Sequence, residues 1–146
     1  MITFIVYGEP KGKGRPRFTK NGRAYTPVTT QEYENAVKAA FIKANRNFKP
    51  IDKHIPLRVE IIAYYGIPKS ASRVTRTQML DHVIRPTKKP DTDNIAKIIL
   101  DALNGIAYYD DAQVVELRLK KCYGEIPCVC VGIDKKSENV KKENEK

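Results

Sequence analysis

The sequence has few of the features that mark membrane or zinc-binding proteins. No apolar run approaches the roughly 20 residues needed to span a bilayer. The first residues, MITFIVYGEP, lack the charged leader and long apolar stretch of a signal peptide. Cys122, Cys128 and Cys130, with His54 and His82 elsewhere, match no zinc template. These absences predict a cytoplasmic protein that does not cross a membrane, with buried or half-buried thiols in strands.

Acidic residues are absent from one segment, residues 10–31. The segment carries six basic residues: Lys11, Lys13, Arg15, Arg17, Lys20 and Arg23. The whole chain has 27 Lys and Arg against 17 Asp and Glu, a net charge of +10, and the last thirteen residues hold five Lys against four acids. The basic excess therefore belongs to the folded body, and the acid-free segment suits a polyanionic ligand.

The hydrophobic pattern predicts one small domain built on a mixed or antiparallel sheet. A chain of 146 residues that is 41% hydrophobic can bury a core of its own. Strands are predicted at residues 2–7, 57–65, 114–123 and 127–133, and helices at residues 30–46 and 91–105. We therefore expect an α+β or α/β fold of order β-α-β-α-β-β with helices packed on the sheet. The predicted domain covers residues 1–133, followed by a charged, disordered tail over residues 134–146.

Two segments lack the pattern of a regular element. Residues 11–27 are rich in Gly and Pro and carry two aromatics, which predicts a basic loop or hairpin. Thr29 and Glu32, just beyond it, stand in the register of a capping box for the first helix. Residues 66–90 show only a brief helical pattern around residues 75–83, and we predict a long, mobile connection there, of the kind that often carries function.

The helix predicted to begin near Asp91 has one apolar and one polar side. At about 100° per residue, one group of apolar side chains gathers on the side that must face the core: Ile95, Ile98, Ile99, Ala102, Leu103 and Ile106. Asp93, Lys97, Asp101 and Asn104 fall within about 80° of one another on the opposite side. One polar edge therefore carries two acids and a lysine.

The carboxylates at this helix start have two interpretations. In the first, Asp91 and Asp93 accept backbone N–H bonds and complement the helix macrodipole, while Asp93, Lys97 and Asp101 form a solvated ladder. In the second, the two acids bind a metal ion. The acidic pair alone does not decide between a capped helix and a metal site, because short acidic motifs often match by chance.

A second acidic pair favours the metal interpretation. Asp110 and Asp111 follow the helix in the segment YYDDAQ. A protein that binds a polyanion has little reason to hold carboxylates near phosphates unless a divalent cation lies between them, and Mg²⁺ prefers such oxygen ligands. Lys97, one turn beyond Asp93, could then bind a phosphate, stabilise transition-state charge or help protonate the leaving oxygen.

One long motif resembles that of a known family. The segment KPDTDNIAKIILDALNGIAYYDDAQV resembles the core of the RusA-type Holliday junction resolvases, in which D-x-D-N is followed by a lysine three residues later, then by D-A-L and D-D-[AS]-Q-V. The amino-terminal GEPKGKGRPRFTKNGRAYTP is similar to the basic K-G-R-P-R-F segment of many members from bacterial genomes and prophages. The resemblance covers about residues 1–133, and the long motif is specific because every part appears in order.

The resemblance implies a homodimeric endodeoxyribonuclease, dependent on Mg²⁺ or Mn²⁺, that binds four-way DNA junctions and nicks two opposed strands in recombination and repair. The matching catalytic, metal-binding carboxylates are Asp91, Asp93 and Asp111. Lys97 matches the supporting catalytic lysine, and Asp101 and Asp110 match positions for which we expect structural or supporting roles.

Phosphate contacts are expected from the basic residues of the amino-terminal segment and of the residues before Asp91: Lys11, Lys13, Arg15, Arg17, Arg23, Lys88 and Lys89. Some family members carry a basic residue directly before the first Asp, where this chain has Pro90, so Lys88 or Lys89 is expected to replace it. Two other functions stay open at this point: a nuclease that cuts flaps or other branched DNA, and a non-catalytic basic module that binds nucleic acid.

Overall fold

A four-stranded mixed sheet forms the centre of the fold. The structure, a computed structural model, describes residues 1–136. Its elements in chain order are β1 (Ile2–Tyr7), β2 (Arg17–Phe18), β3 (Ala24–Tyr25), α1 (Val28–Ala44), β4 (Leu57–Gly66), α2 (Arg73–Leu80), α3 (Thr92–Ala102), β5 (Val114–Gly124) and β6 (Cys128–Lys135). In the sheet order β1-β6-β4-β5, β6 runs antiparallel to β1 and β4, and β4 runs parallel to β5. The predicted α+β class with a mixed sheet is confirmed.

The helices α1 and α3 cover one face of the sheet because their apolar sides match its buried side. Alternate residues of β4 are buried, from Leu57 to Tyr65, and those between them are half-buried. α3 buries the isoleucine side that its periodicity predicts. α1 places Phe41 edge-on against Phe4 of β1, with ring centroids 5.4 Å apart. The polar side of α3, which includes Asp93, is thereby held at the surface.

The start of α1 differs from the prediction. The helix begins at residue 28, its N-cap residue is a proline, and no side chain caps it, so the capping box of Thr29 and Glu32 was a wrong prediction. The neighbouring Thr30 is buried, and its hydroxyl accepts a hydrogen bond from the Gly14 N–H at 3.1 Å. This bond attaches the amino-terminal segment to the first turn of the helix.

Both segments without a clear pattern contain short regular structure. The basic segment forms the hairpin of β2 and β3, in which Arg17 pairs with Tyr25. The connection between β4 and α3 contains α2, whose N-cap Ser72 accepts a hydrogen bond from the Thr75 N–H at 3.1 Å. The brief helical pattern in this connection therefore corresponds to a capped helix that starts at residue 73.

The last strand extends past the predicted domain boundary. β6 ends at Lys135 rather than at residue 133. The Lys136 N–H donates to the Pro56 carbonyl oxygen at 2.9 Å, which attaches the end of the strand to the residue before β4. The rest of the predicted tail, residues 137–146, lies outside the described residues.

The three cysteines lie in β5 and β6, as predicted. All three are free thiols; Cys122 is buried, and Cys128 and Cys130 are half-buried. Over residues 1–136, no helix has both the length and the apolar character needed to cross a bilayer.

Candidate active site

Asp91 and Asp93 occupy the start of α3, but neither carboxylate caps it. Asp91 is the N-cap residue, and its carbonyl oxygen accepts a hydrogen bond from the Ile95 N–H at 3.0 Å. Its side chain forms no capping bond. Asp93 lies in the first turn and is exposed. The backbone of Asp91 therefore begins the helix, while its carboxylate is left available for another ligand.

The two carboxylates border different hollows. Asp91 lines an open hollow of about 650 Å³ together with Arg15 and Lys89. Asp93 lines a smaller one of about 240 Å³ with Leu117 and Leu119 of β5. Asp91 is the extended N-cap residue, whereas Asp93 lies in the first helical turn, so the two side chains leave backbones of different conformation. The two side chains therefore line separate hollows at the start of α3.

Tyr65 lies beside Asp91 and holds the residue before it. Its hydroxyl donates to the Pro90 carbonyl oxygen at 2.8 Å. Burial, followed by the nearby carboxylates of Glu9 and Asp91, raises the pKa of Tyr65 to about 12. Tyr65 is therefore a neutral hydrogen-bond donor at physiological pH, and it fixes the backbone that leads into α3.

The predicted ladder along the polar side of α3 does not form. Within residues 1–136, neither Asp93 nor Lys97 has an ion-pair partner within 4.0 Å. Asp101 instead binds Lys13, whose Nζ lies 3.3 Å from its carboxylate and also contacts Glu34. Asp93 and Lys97 are consequently exposed and unpaired in the described part of the chain.

Lys13 differs from the other basic residues that were predicted to contact DNA. Its side chain is only 19% exposed, and its ion pairs connect the amino-terminal segment to Glu34 of α1 and Asp101 of α3. Burial alone would lower the pKa of Lys13, but hydrogen bonds and charge interactions with the two acids raise it. The structure therefore places Lys13 in an internal network, at the border of the hollow that contains Asp91. By contrast, Lys11, Arg15, Arg17, Arg23, Lys88 and Lys89 are exposed.

Asp111 lies at the opposite end of α3 from Asp93. Its N–H donates to Asn104 Oδ1 at 2.8 Å, and Asp110 caps the same short turn by accepting from the Ala112 N–H. Partial burial raises the pKa of Asp111, and hydrogen bonds with the carboxyl groups of Asp110 and Asp101 raise it further. Asp101, Asp110 and Asp111 thus form a second acidic group.

The two acidic groups are far apart within one chain. Eight residues of α3 separate Asp93 from Asp101, a distance of about 12 Å along the helix axis. Across the described residues, no three Asp, Glu, His or Cys side chains converge as a metal site requires. The predicted ligand set of Asp91, Asp93 and Asp111 therefore does not fit one ion within a single chain.

Gln113 positions the second acidic group, although its role was not predicted. Its buried amide oxygen accepts from the Tyr109 and Asp110 N–H groups at 2.9 and 3.1 Å. Its amide nitrogen donates to the carbonyl oxygens of Asp52 and Ile55 at 2.7 and 3.2 Å. The only signal in the sequence is its place in the segment DDAQV. One side chain thus connects the Asp110 turn to the chain before β4.

We expect Gln113→Ala to lower the free energy of unfolding by about 2–3 kcal/mol, because it leaves buried N–H and C=O groups without partners. Urea denaturation measures the change. The matched control is Gln31→Ala, since Gln31 is exposed and its side chain makes one hydrogen bond, to the Thr26 carbonyl oxygen. The control should change stability by less than about 0.5 kcal/mol. Equal effects of the two variants would contradict the role assigned to Gln113.

A family model and a phage relative of this chain both carry the description of a RusA endodeoxyribonuclease. A family model described as Endodeoxyribonuclease RusA matches residues 7–134. A protein of Bacillus subtilis (strain 168), named Uncharacterized protein YqaN, is 36% identical over 137 residues, which cover 90% of this chain and 94% of that protein. The Crossover junction endodeoxyribonuclease rusA of Lactococcus phage r1t is 30% identical over 119 residues, 81% of this chain and 77% of the phage protein.

Proposed function

The chain belongs to the RusA endodeoxyribonuclease family, and from that premise we propose that it resolves four-way DNA junctions by nicking two opposed strands, with Mg²⁺ as cofactor and Mn²⁺ as a substitute. The start of α3 carries the proposal. Among residues 1–136, Asp91 and Asp93 of this basic chain are exposed carboxylates that neither cap the helix nor pair with a cation. Hard divalent cations prefer such oxygens and, when bound, stabilise charge at a reacting phosphate.

A homodimer is part of this proposal because one chain separates its acidic groups. We infer that each complete site combines Asp91 and Asp93 of one subunit with Asp111 of the partner subunit. A two-fold dimer then carries two identical sites. Since a four-way junction has approximate two-fold symmetry, two such sites can act on opposed strands, and paired nicking follows from the symmetry.

The exposed basic residues hold the DNA backbone in this proposal. Arg15 and Lys89 border the hollow that contains Asp91, so a phosphate bound by them lies next to that carboxylate. The remaining contacts come from Lys11, Arg17, Arg23 and Lys88. Lys13 acts indirectly, because its pairs with Glu34 and Asp101 hold the amino-terminal segment in place.

Lys97 and the remaining acids have supporting roles. Lys97 is exposed one turn after Asp93 and is free to bind a phosphate oxygen or to stabilise transition-state charge. Asp101 orients Lys13, and Asp110 caps the turn that presents Asp111. We also propose that the protein acts in the cytoplasm, on DNA in recombination and repair, and that it is of prophage origin, because a phage protein is among its relatives.

A cleavage assay with metal removal tests the proposed function. Labelled four-way junction, linear duplex and flap DNA are each incubated with the protein in Mg²⁺ or in EDTA. We expect paired, symmetric nicks in the junction only, and none in EDTA. Metal-dependent cutting of flaps but not junctions would indicate a nuclease for other branched DNA. Binding without cleavage under every condition would leave a non-catalytic nucleic-acid-binding module.

A further inference from the structure

Two lysines lie near the ring of Tyr65, and Arg85 bonds to the backbone of one of them. The Nζ atoms of Lys88 and Lys121 lie 5.8 and 5.2 Å from the ring centroid. Lys121 Nζ also donates to the Lys88 carbonyl oxygen at 2.6 Å, and Arg85 Nε donates to the Lys121 carbonyl oxygen at 2.7 Å. These bonds attach the connection that precedes α3 to the edge strand β5. Arg85, Lys88 and Lys121 together are called the β5 basic cluster below.

The β5 basic cluster has no acidic partner in the described part of the chain. None of its three side chains has a carboxylate within 4.0 Å. Lys88 and Lys121 both approach the Tyr65 ring, whose π face attracts cations without neutralising them. Arg85 uses only Nε internally, which leaves its two terminal nitrogens free, and Lys121 keeps two of its three N–H donors. The cluster is therefore arranged to receive an anion.

The position of the cluster indicates which anion it binds. Tyr65 carries the cluster on its ring and bonds through its hydroxyl to Pro90, the residue directly before Asp91. Arg15 and Lys89 line a hollow together with Pro90 and Asp91. Pro90 and Asp91 thus adjoin both groups of cations. A chain of phosphates that passes Asp91 meets both groups, whereas a single small anion would meet only one.

We propose that Arg85 and Lys121, with Lys88, form a second phosphate-binding site that holds the backbone of a DNA arm beside Asp91. The inference rests on the proposed function, because it extends the DNA path of the same site. It gives a role to the connection between β4 and α3: α2 and the bond from Arg85 hold that connection against β5, so that the cations keep a fixed position.

The test is the salt dependence of DNA binding without metal, for a linear duplex and for a four-way junction. The logarithm of the association constant falls linearly with the logarithm of the salt concentration, and each lost phosphate contact makes this slope shallower by about 0.9. Arg85→Gln combined with Lys121→Gln should therefore make it shallower by about 2. If the affinities converge near 1 M salt, that change corresponds to binding on the order of 100-fold weaker at 50 mM salt. The charge-conserving pair Arg85→Lys with Lys121→Arg should keep most of the wild-type slope.

The matched control is Lys43→Gln with Arg46→Gln, which removes the same charge. These two residues are exposed and lie at the end of α1, where Asn45 bonds to Thr3 of β1. Thr3 lies toward the opposite end of β1 from Tyr7, and Tyr7 lies at the same end of the sheet as Tyr65. The control should keep the wild-type slope. Equal slopes for the double variant and the control would overturn the inference.

A second measurement uses the unaltered protein and does not depend on folding of a variant. Acetylation of lysines, followed by mass spectrometry, should show Lys121 protected several-fold by duplex DNA and Lys43 unprotected. Equal modification of Lys121 with and without DNA would overturn the inference. The two proposals can fail separately. If the protein cuts no branched DNA but DNA protects Lys121, only the proposed function is refuted. If the protein cuts junctions but DNA does not protect Lys121, only the second phosphate site is refuted.

Discussion

Asp93→Asn is expected to lower the rate of junction cleavage at least about 10³-fold, while junction binding without metal stays within about threefold of wild type. The substitution keeps the shape of the side chain and removes the charge that would bind the cation. Metal ions supply several kcal/mol of transition-state stabilisation, and each 1.4 kcal/mol corresponds to a factor of ten in rate. Single-turnover cleavage with saturating protein measures the chemical step, so a change in DNA affinity does not affect the comparison.

Asp81→Asn is the matched control for this prediction. Asp81 is an exposed acid at the end of α2, its side chain makes no hydrogen bond or ion pair within residues 1–136, and the substitution is chemically identical. It should leave the cleavage rate within about twofold of wild type. If Asp93→Asn cut junctions within tenfold of wild type, the carboxylate would not be a ligand of the essential ion, and the proposed site would be wrong.

The sequence predicted α3 and its exposed edge well because both depend on local periodicity. A helix with one isoleucine side can bury that side only, so Asp93 and Lys97 must face solvent wherever the helix packs. The strands of the sheet were predicted for a similar reason, since alternation along β4 follows directly from burial of one face. Local pattern was sufficient for these elements.

The position of Asp111 could not be predicted from local pattern. It depends on where the chain goes after α3, which turns at Gly105 with a φ of +76° and returns through Tyr108, whose hydroxyl bonds to the Leu100 carbonyl oxygen. These contacts keep Asp111 near the end of the helix rather than at its start. Adjacent acids in a motif therefore predicted a metal site but not which carboxylates lie close together within one chain.

The number of basic residues in a segment was also insufficient to predict which of their side chains are available to bind DNA. Lys13 and Arg15 are equivalent in the sequence and both line the hollow beside Asp91, yet Lys13 pairs with two acids from distant parts of the chain, whereas Arg15 has no carboxylate within 4.0 Å among residues 1–136. The β5 basic cluster shows the opposite case, because Arg85 and Lys121 are far apart in sequence and meet only through the fold. Whether a cation is available to a ligand depends on tertiary contacts that composition does not report.

Mixed dimers provide the second large effect and test the shared site directly. Asp93→Asn and Asp111→Asn subunits should each form inactive homodimers, whereas a heterodimer of the two should nick junctions at least about 100-fold faster than either. If each site takes Asp91 and Asp93 from one subunit and Asp111 from the other, the heterodimer places both substitutions in one site and leaves the second site intact. With two affinity tags the heterodimer can be purified, and its nicks should be single rather than paired.

The heterodimer of Asp93→Asn with Asp91→Asn separates this arrangement from simple tolerance of a missing ligand. Both substitutions fall in the same acidic group, so each of its two sites lacks one carboxylate, and it should stay as inactive as the homodimers. Activity in the first heterodimer but not in the second assigns Asp111 to the site of the partner subunit. If neither heterodimer is active, all three carboxylates act within one subunit, and the chain must then close the distance of about 12 Å along α3 by a rearrangement on binding DNA.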